Sequence, residues 1–327
     1  MAEPKMASGI KRRSLKDYLN TFGVVLSLLL LCVILTVVSP QFLTVGNLMN
    51  VAGQAAVNSV ISIGLFLAIL TSGIDLSVGS VLALSTMVMG LFAKTFNMNP
   101  YLALLSCLLV GTLLGLINGL LLTKLRLPHP FIATMGTKQM ARGLCLVVTA
   151  TQPVYGFKAP IVFLGNASLG PVPVSFILVG VLYGVMYLFL NRTNVGRYIY
   201  AVGGNKEAAR LSGINVNGIL NLVYSMSGFM AALAGIILVG RVDTAYPLAG
   251  VDYETDAIAA VIIGGASFFG GIGKIGNTIV GVLLIAVLRN GLNLLGVTSA
   301  WQTFTIGAVI IIAVFIDVLR QDMGKRH

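Results

Sequence analysis

Long apolar segments follow one another along almost the whole chain, separated by short stretches that are polar or rich in glycine. A helix needs about 20 apolar residues to cross the hydrocarbon core of a bilayer. Gly, Pro, Asn and charged residues mark the ends of such segments. The pattern predicts about ten membrane-spanning helices. They cover residues 19–38, 48–70, 78–96, 101–122, 131–150, 173–190, 216–238, 254–268, 276–295 and 300–319.

The composition indicates a membrane protein and excludes a soluble enzyme. Apolar residues make up 57% of the chain, charged residues make up 9%, and the mean hydropathy is +0.96. An average soluble protein has about 25% charged residues, so this chain lacks the polar side chains that would cover a water-soluble particle. The apolar segments are continuous rather than alternating, which favours helices over a transmembrane β-barrel.

The basic residues are distributed unevenly between the connecting segments. Fifteen of the 21 Lys and Arg residues fall on the side of the N-terminus, whereas the opposite segments hold only Lys158 and Arg241. Because Lys and Arg are enriched in cytoplasmic loops, we expect an all-α polytopic transmembrane helical bundle with both termini in the cytoplasm. This topology accounts for the net charge of +11, so nucleic acid is not expected as a partner. The expected organisation is a basic N-terminal tail at 1–18, one transmembrane domain at 19–319 with a cytoplasmic loop at 191–215, and a C-terminal tail at 320–327.

Small residues recur every three or four positions in two of the predicted spans. Such faces allow two membrane helices to approach closely. The residues are Gly111, Gly115 and Gly119 in the fourth span and Gly228, Ala232 and Gly235 in the seventh.

No cofactor, metal or catalytic residue is expected. Gly271, Gly273 and Gly276 have the spacing of the dinucleotide-binding fingerprint, but that motif functions between a strand and a helix of a βαβ unit, and here it joins two membrane spans. The two histidines, His129 and His327, are far apart in the sequence and predict no metal cluster.

The longest predicted cytoplasmic loop carries a helix pattern near its end. Asn205 can cap a helix, Glu207 lies near the start of that helix and Arg210 near its end, and Gly213 can terminate it. The pattern predicts a short helix that lies off the membrane. It leaves open whether this helix is an amphipathic connector or an element that docks on a partner.

The segment 71–80 places the carboxylate of Asp75 beside two apolar spans. A carboxylate is costly there unless it is capped or paired. We expect Asp75 to accept hydrogen bonds from the amides of Ser77 and Val78 as the N-cap of the third span. A gate on a translocation route is the alternative role.

Several polar residues fall within the predicted spans. Gln54 and Asn58 lie four residues apart on one helix face and form a polar stripe that can line a wet passage, although interhelical hydrogen bonding is the alternative for each. Asp256 can pair with Arg142 or with Arg289, and the sequence does not choose between them. The other polar residues in the spans are Asn118, Gln139, Asn290, Asn293 and Gln302.

Three long motifs point to one family. Residues 73–80 read GIDLSVGS, residues 196–214 read GRYIYAVGGNKEAARLSGI, and residues 290–297 read NGLNLLGV. With these motifs the chain resembles, over the range 39–317, the permease subunits of bacterial ABC monosaccharide importers, and it looks most similar to ribose and allose permeases. The resemblance implies a multi-pass protein of the bacterial inner membrane that translocates a monosaccharide by alternating access.

The resemblance also implies partners. A periplasmic sugar-binding protein delivers the solute to a permease homodimer in the lipid bilayer, and separate cytoplasmic ATPase subunits hydrolyse ATP, so this chain is not itself an enzyme. By position, residues 204–213 correspond to the coupling helix that contacts the ATPase. The coupling residues implied are Asn205, Glu207, Ala208, Arg210, Leu211 and Gly213. The hypothetical residues of a translocation path or gate are Gln54, Asn58, Asp75, Ser77, Asn290 and Asn293.

Two other functions are compatible with the composition. An ABC permease for branched-chain amino acids or nucleosides has the same general plan. An ion-coupled secondary transporter would need carboxylates or a cation site near the bilayer midplane. Asp256 is the only acidic residue that we consider a candidate for this midspan role.

Overall fold

The computed structural model describes residues 15–325, and most of them are helical. Residues 1–14 and 326–327, which include most of the predicted N-terminal tail, lie outside the described residues. The helices are α1 (Leu15–Val38), α2 (Val45–Leu70), α3 (Val78–Lys94), α4 (Pro100–Thr123), α5 (Pro130–Val148), α6 (Ala159–Asn166), α7 (Val174–Arg192), α8 (Asn194–Gly204), α9 (Lys206–Leu211), α10 (Val216–Val242), α11 (Tyr253–Ile263), α12 (Ile275–Leu294) and α13 (Ser299–Lys325).

Four two-residue strands lie in the connecting segments. They form two antiparallel pairs, in which β1 pairs with β4 and β2 pairs with β3. The strands are β1 (Val154–Tyr155), β2 (Ser168–Leu169), β3 (Val172–Pro173) and β4 (Thr244–Ala245). These pairs close loops at the ends of helices, and the predicted all-α class is confirmed.

Polar side chains cap the first turns of several helices, where backbone amides have no partner within the helix. Asn99 accepts a hydrogen bond from the amide of Tyr101 at 2.9 Å, and Pro100 occupies the first position of α4. Asn215 accepts from the amide of Gly218 at 3.0 Å at the start of α10. These caps explain why the apolar segments begin their helices where they do.

Each of the ten predicted spans coincides with a helix, but the helices differ in length. Six of the described helices are long and apolar enough to cross a bilayer: α2, α4, α7, α10, α12 and α13. Helix α3 and the described apolar part of α1 (Gly23–Val38) are shorter. The predicted span at 254–268 is wrong as a continuous helix, because α11 ends at Ile263. Eleven residues at about 1.5 Å each are too short to cross alone. The predicted C-terminal tail also differs, because α13 continues to Lys325.

Helices α2 and α10 form the centre of the bundle. Of their most apolar stretches, 89% and 72% are buried, against 28% for α4 and α7 and 11% for α13. The outer helices therefore present apolar side chains that need lipid or another protein chain as a neighbour. The predicted small-residue faces meet at the centre: α4 packs on α10 through Gly111, Gly115 and Gly119.

The backbones of α4 and α10 touch along this contact. A Cβ atom on Gly115 would lie 2.1 Å from the carbonyl oxygen of Tyr224, and one on Gly228 would lie 2.0 Å from that of Gly111. Real Cβ atoms do not approach a backbone oxygen so closely, so neither position accepts a side chain without separating the helices. Lipid tails are as apolar as the helix surfaces, and such close packing is therefore a main source of helix association in a membrane.

We predict that Gly115→Ala destabilises the purified protein by about 1–3 kcal/mol, the usual cost of overpacking a core. The matched control is Gly184→Ala in the middle of α7, where a Cβ atom would have nothing within 4 Å. The control is expected to be neutral or slightly stabilising, because Ala favours a helix over Gly. Thermal unfolding in detergent measures both variants. Equal unfolding midpoints for the two variants would contradict the proposed packing.

Candidate functional site

A polar cavity of about 270 Å³ lies between α2, α10, α11, α12 and the start of α13. Gln54 and Asn58, which the sequence predicts to form a polar stripe on one helix, both line it. Arg241, Tyr253 and Thr303 also contribute to its walls. The cavity is therefore a polar space within one chain, bounded by donors and acceptors of hydrogen bonds.

A buried ion pair forms one wall of this cavity. Arg289 donates to both carboxylate oxygens of Asp256, from Nε at 2.8 Å and from Nη2 at 2.6 Å. Asp256 is 3% exposed, and Nδ2 of Asn58 lies 3.5 Å from its Oδ2. The pairing that the sequence left open is thus with Arg289. Arg142 instead donates to the backbone carbonyls of Pro247 and Ala249.

The second acidic residue of α11 is also paired. Glu254 is 3% exposed, and its Oε1 lies 2.5 Å from Nζ of Lys138 on α5. Both carboxylates belong to the first turn of α11, where the helix dipole favours negative charge. The two pairs fasten this turn to α5 on one side and to α12 on the other.

Helix α11 begins inside the bundle, which the sequence analysis did not predict. A Cβ atom on Gly79, in the first turn of α3, would lie 2.1 Å from the carbonyl oxygen of Gly250 and 2.7 Å from Oε2 of Glu254. The segment 243–252 therefore returns into the bundle before α11 starts. Non-helical backbone is tolerated at such depth where protein or a wet cavity surrounds it. Arg142 satisfies two of its carbonyl groups.

Asp75 lies at a helix crossing outside the cavity lining. Its Oδ1 accepts from the amide and the hydroxyl of Ser77 at 3.0 and 2.6 Å, and its Oδ2 accepts from the hydroxyl of Ser227 at 2.7 Å. Asn118 in turn donates to the hydroxyl of Ser77 at 2.9 Å. The expected bond from the amide of Val78 is wrong, because Ser77 occupies the N-cap position and Asp75 connects this turn to α10.

Asn290 and Asn293 make hydrogen bonds between helices and do not line the cavity. Asn290 exchanges two hydrogen bonds with Asn47 on α2, at 3.0 and 2.8 Å. Asn293 accepts from Gln302 on α13 at 2.7 Å. Of the residues predicted for a translocation path or gate, the structure brings Gln54 and Asn58 together in one cavity and places the other four elsewhere.

Helix α9 is an exposed turn that projects from the bundle. Oδ1 of Asn205 accepts from the amides of Glu207 and Ala208 at 3.0 and 2.9 Å, and Glu207 pairs with Arg210 at 3.2 Å. The predicted cap and helix are confirmed, and Gly213 follows with a positive φ of 81°. All six predicted coupling residues are exposed, and Leu211 is 84% exposed.

Lys206 differs from the exposed residues of α9 because it is only partly accessible. The loss of hydration lowers the pKa of its ammonium group below the usual value. The accessible surface of this turn is therefore formed by the predicted coupling residues that follow Lys206.

Helix α8, which precedes α9, was missed by the sequence analysis. The signal that could have identified it is Thr193, whose hydroxyl accepts from the amide of Gly196 at 3.0 Å, followed by buried Ile199 and Val202 at a helical spacing. Helix α8 packs on α2, α7 and α10 and connects α9 to the bundle.

A backbone junction connects α8 to the helices that surround the cavity. A Cβ atom on Gly203 would lie 1.6 Å from the carbonyl oxygen of Leu70, which also accepts from the amide of Gly271 at 2.9 Å. The hydroxyl of Ser72 lies 3.0 Å from the carbonyl oxygen of Gly203 and 2.7 Å from that of Phe269. We call these five residues the glycine junction. It joins the end of α8, the end of α2 and the loop between α11 and α12.

Comparisons with known proteins identify the family. Residues 47–314 match the family described as the branched-chain amino acid transport system / permease component. The chain is 42% identical over 315 residues to the ribose import permease protein of Escherichia coli strain K12, a match that covers 95% of this chain and 98% of that protein. It is 43% identical over 314 residues to the ribose import permease protein of Bacillus subtilis strain 168, covering 94% and 95% of the two chains.

A third relative has a different sugar in its name. The chain is 42% identical over 304 residues to the D-allose transport system permease protein of Escherichia coli strain K12, covering 92% of each chain. No solved structure matches the chain significantly. Because the family model covers most of the chain and the relatives match over nearly their full length, the chain belongs to this family of transport-system permease components.

Proposed function

We propose that the chain is the permease subunit of an ATP-powered importer of the bacterial inner membrane and that its solute is a monosaccharide such as ribose or allose. The observation that carries this proposal is the 42% identity, over 95% of the chain, to a ribose import permease. The chain is a multi-pass membrane protein and a transporter subunit rather than an enzyme. ATP hydrolysis is assigned to a separate cytoplasmic subunit.

The cavity favours a sugar over the other solutes considered for this family. Most of its walls are formed by polar and charged side chains, among them those of Gln54 and Arg289. Val57 and Val251 are its only aliphatic side chains among the described residues. A branched-chain amino acid would need an apolar surface for its side chain, because burying that side chain against polar groups gains little. A hydroxylated solute can exchange hydrogen bonds with the walls, and we propose that Gln54 and Asn58 lie on its path.

We propose that α9 is the coupling element that docks on the ATPase. Its exposed surface combines an ion pair, a small Ala208 and the apolar Leu211, which has no neighbour covering it among the described residues. Small residues permit close approach, and the Glu207–Arg210 pair can set the orientation of a docked partner. A binding protein would deliver the sugar from the opposite side to a permease homodimer, in which the exposed apolar helices provide the subunit contact.

The glycine junction gives α9 a short route to the cavity. Helix α2 supplies Gln54 and Asn58, and the loop that the junction holds connects α11, with Asp256, to α12, with Arg289. Backbone segments in direct contact move together, because no flexible side chain lies between them. Movement of α9 on ATP binding would therefore displace both walls of the cavity, which is the requirement for alternating access.

We propose ten membrane crossings with both termini in the cytoplasm. Ser72, Gly203 and Phe269 meet at the end of the bundle that carries α9, and these segments hold most of the basic residues of the loops. The segment 243–252 and the short α11 together would complete one crossing. The cavity then opens toward the outside, near the end of α10.

A labelling experiment tests this topology. In a variant without its native cysteines, we expect a single cysteine at position 166 to react with a membrane-impermeant maleimide in intact cells. We expect one at position 205 to react only after permeabilisation. Both positions are exposed in the structure, so burial does not prevent labelling. The reverse pattern would contradict the topology.

An uptake assay tests the function and the coupling helix together. We expect vesicles that contain the permease, its ATPase and its binding protein to accumulate ribose or allose, but not leucine, and only with ATP. Glu207→Lys should abolish uptake and ATPase copurification, because it places a third cation in the docking surface. The protein should stay inserted, since the exposed Glu207–Arg210 pair contributes only about 0.3–0.5 kcal/mol to stability.

The control for Glu207→Lys is Lys158→Glu, an equally large charge reversal on an exposed residue at the opposite end of the bundle. It should leave ATPase copurification at the wild-type level. Wild-type copurification and uptake by the Glu207→Lys protein would show that α9 is only a connector. Leucine uptake, or sugar uptake without ATP, would contradict the proposed function.

A further inference from the structure

One wall of the cavity holds an acceptor that lacks a donor. Asn58 lies half way along α2, and its side-chain oxygen Oδ1 is buried without a hydrogen-bond partner among the residues that the structure describes. The amide nitrogen of the same side chain is only 3.5 Å from Asp256. A buried acceptor without a partner is costly, and the residue that carries it lines the cavity.

Next to Asn58, on the other side of the same Asp256 oxygen, lies a guanidinium with spare donors. Arg289 uses Nε and Nη2 on Asp256, which leaves Nη1 outside those two bonds, and its side chain is 29% exposed. Asp256 fixes the plane of the guanidinium through two parallel bonds. The remaining donors are therefore held in one orientation, which suits recognition of a hydroxyl oxygen.

The formal charges around the cavity cancel. Arg241 and Arg289 carry positive charge, and Asp252 and Asp256 carry negative charge. The Asp256 carboxylate is already engaged by Arg289, so it is not available for an ammonium group. A neutral solute with several hydroxyl groups matches this set, because each hydroxyl both donates and accepts.

We infer that Asn58 and Arg289 form a transient binding site for a neutral polyhydroxylated solute, with Asn58 accepting from one hydroxyl group and Arg289 donating to another. Asp256 is the positioning residue that orients Arg289. This inference rests on the proposed function, since it names the groups that a monosaccharide contacts on its path. We expect this site to bind its solute weakly, because a transported solute must also leave.

The test is Asn58→Leu, which removes the unpartnered acceptor and keeps the branched shape and the number of heavy atoms of the side chain. The change also removes the amide group that lies 3.5 Å from Asp256, so the unfolding midpoint of the variant is compared with that of the wild type. In vesicles with the ATPase and saturating binding protein, we expect ribose transported per ATP hydrolysed to fall about three- to tenfold, the value of one lost hydrogen bond. Copurification of the ATPase should not change.

The matched control is Ser62→Ala on the same helix. Its hydroxyl is also buried without a partner among the described residues, but it does not line the cavity. Ribose transported per ATP should equal the wild-type value. A tenfold loss in this control as well would mean that α2 tolerates no substitution, and it would overturn the assignment of a specific role to Asn58.

If Asn58→Leu does not insert into the membrane, a second pair of variants tests the inference. Arg289→Lys keeps the positive charge beside Asp256 but loses the planar fork of donors, and it should lower ribose transported per ATP at least threefold. Lys138→Arg at the Glu254 pair, outside the cavity lining, should not. Wild-type ratios for Asn58→Leu, or for Arg289→Lys in its place, would overturn the inference. Uptake by the wild type that does not need the ATPase would instead overturn the proposed function.

Discussion

The two ion pairs on the first turn of α11 determine how the functional half of the bundle is arranged. A carboxylate that is almost fully buried among membrane helices is cut off from most water, so each one needs a cation and hydrogen-bond donors from the protein. Glu254 finds Lys138 on α5, and Asp256 finds Arg289 on α12. These bonds hold the start of a short helix inside the bundle, and the space beside that start is the polar cavity.

Close backbone contact is the second requirement of the structure. Between helices in lipid there is little hydrophobic driving force, and glycine allows the backbones to approach until they touch. The contact between α4 and α10 uses Gly115 and Gly228 in this way, and the glycine junction uses Gly203 and Gly271. The first contact fixes the centre of the bundle, whereas the second connects the exposed helix α9, through α8, to the helices of the cavity.

The sequence predicts those features that depend on local pattern. The apolar segments identify the positions of ten of the described helices. Asn205 and Gly213 identify the limits of α9, because capping acts over a few residues. The stripe of Gln54 and Asn58 is predicted because a helix repeats every 3.6 residues, and both residues line the cavity. The glycine spacing on α4 likewise predicts a close helix contact, although it does not identify the partner helix.

Features that depend on tertiary contact are not predicted. The shortness of α11 follows from a segment that returns into the bundle, and Arg142 stabilises that segment from another helix. Asp256 pairs with Arg289 rather than with Arg142 because of how the helices pack. The amino-acid composition does not determine that packing. Asp75 bonds Ser227, which lies 152 positions away, so its main role could not be read from the local turn.

We propose that movement of α9 reaches the cavity through the glycine junction. The most direct measurement is the amount of ribose transported per ATP hydrolysed by Gly203→Ala, compared with Gly204→Ala. A Cβ atom at 203 would lie 1.6 Å from the carbonyl oxygen of Leu70, whereas one at 204 would have nothing within 4 Å. We expect Gly203→Ala to retain the bound ATPase and its ATP hydrolysis. The amount of ribose transported per ATP should fall at least about tenfold, a change of about 1.4 kcal/mol in coupling. Gly204→Ala should keep the wild-type amount. A wild-type ratio for an inserted, ATPase-bound Gly203→Ala protein would contradict the claim.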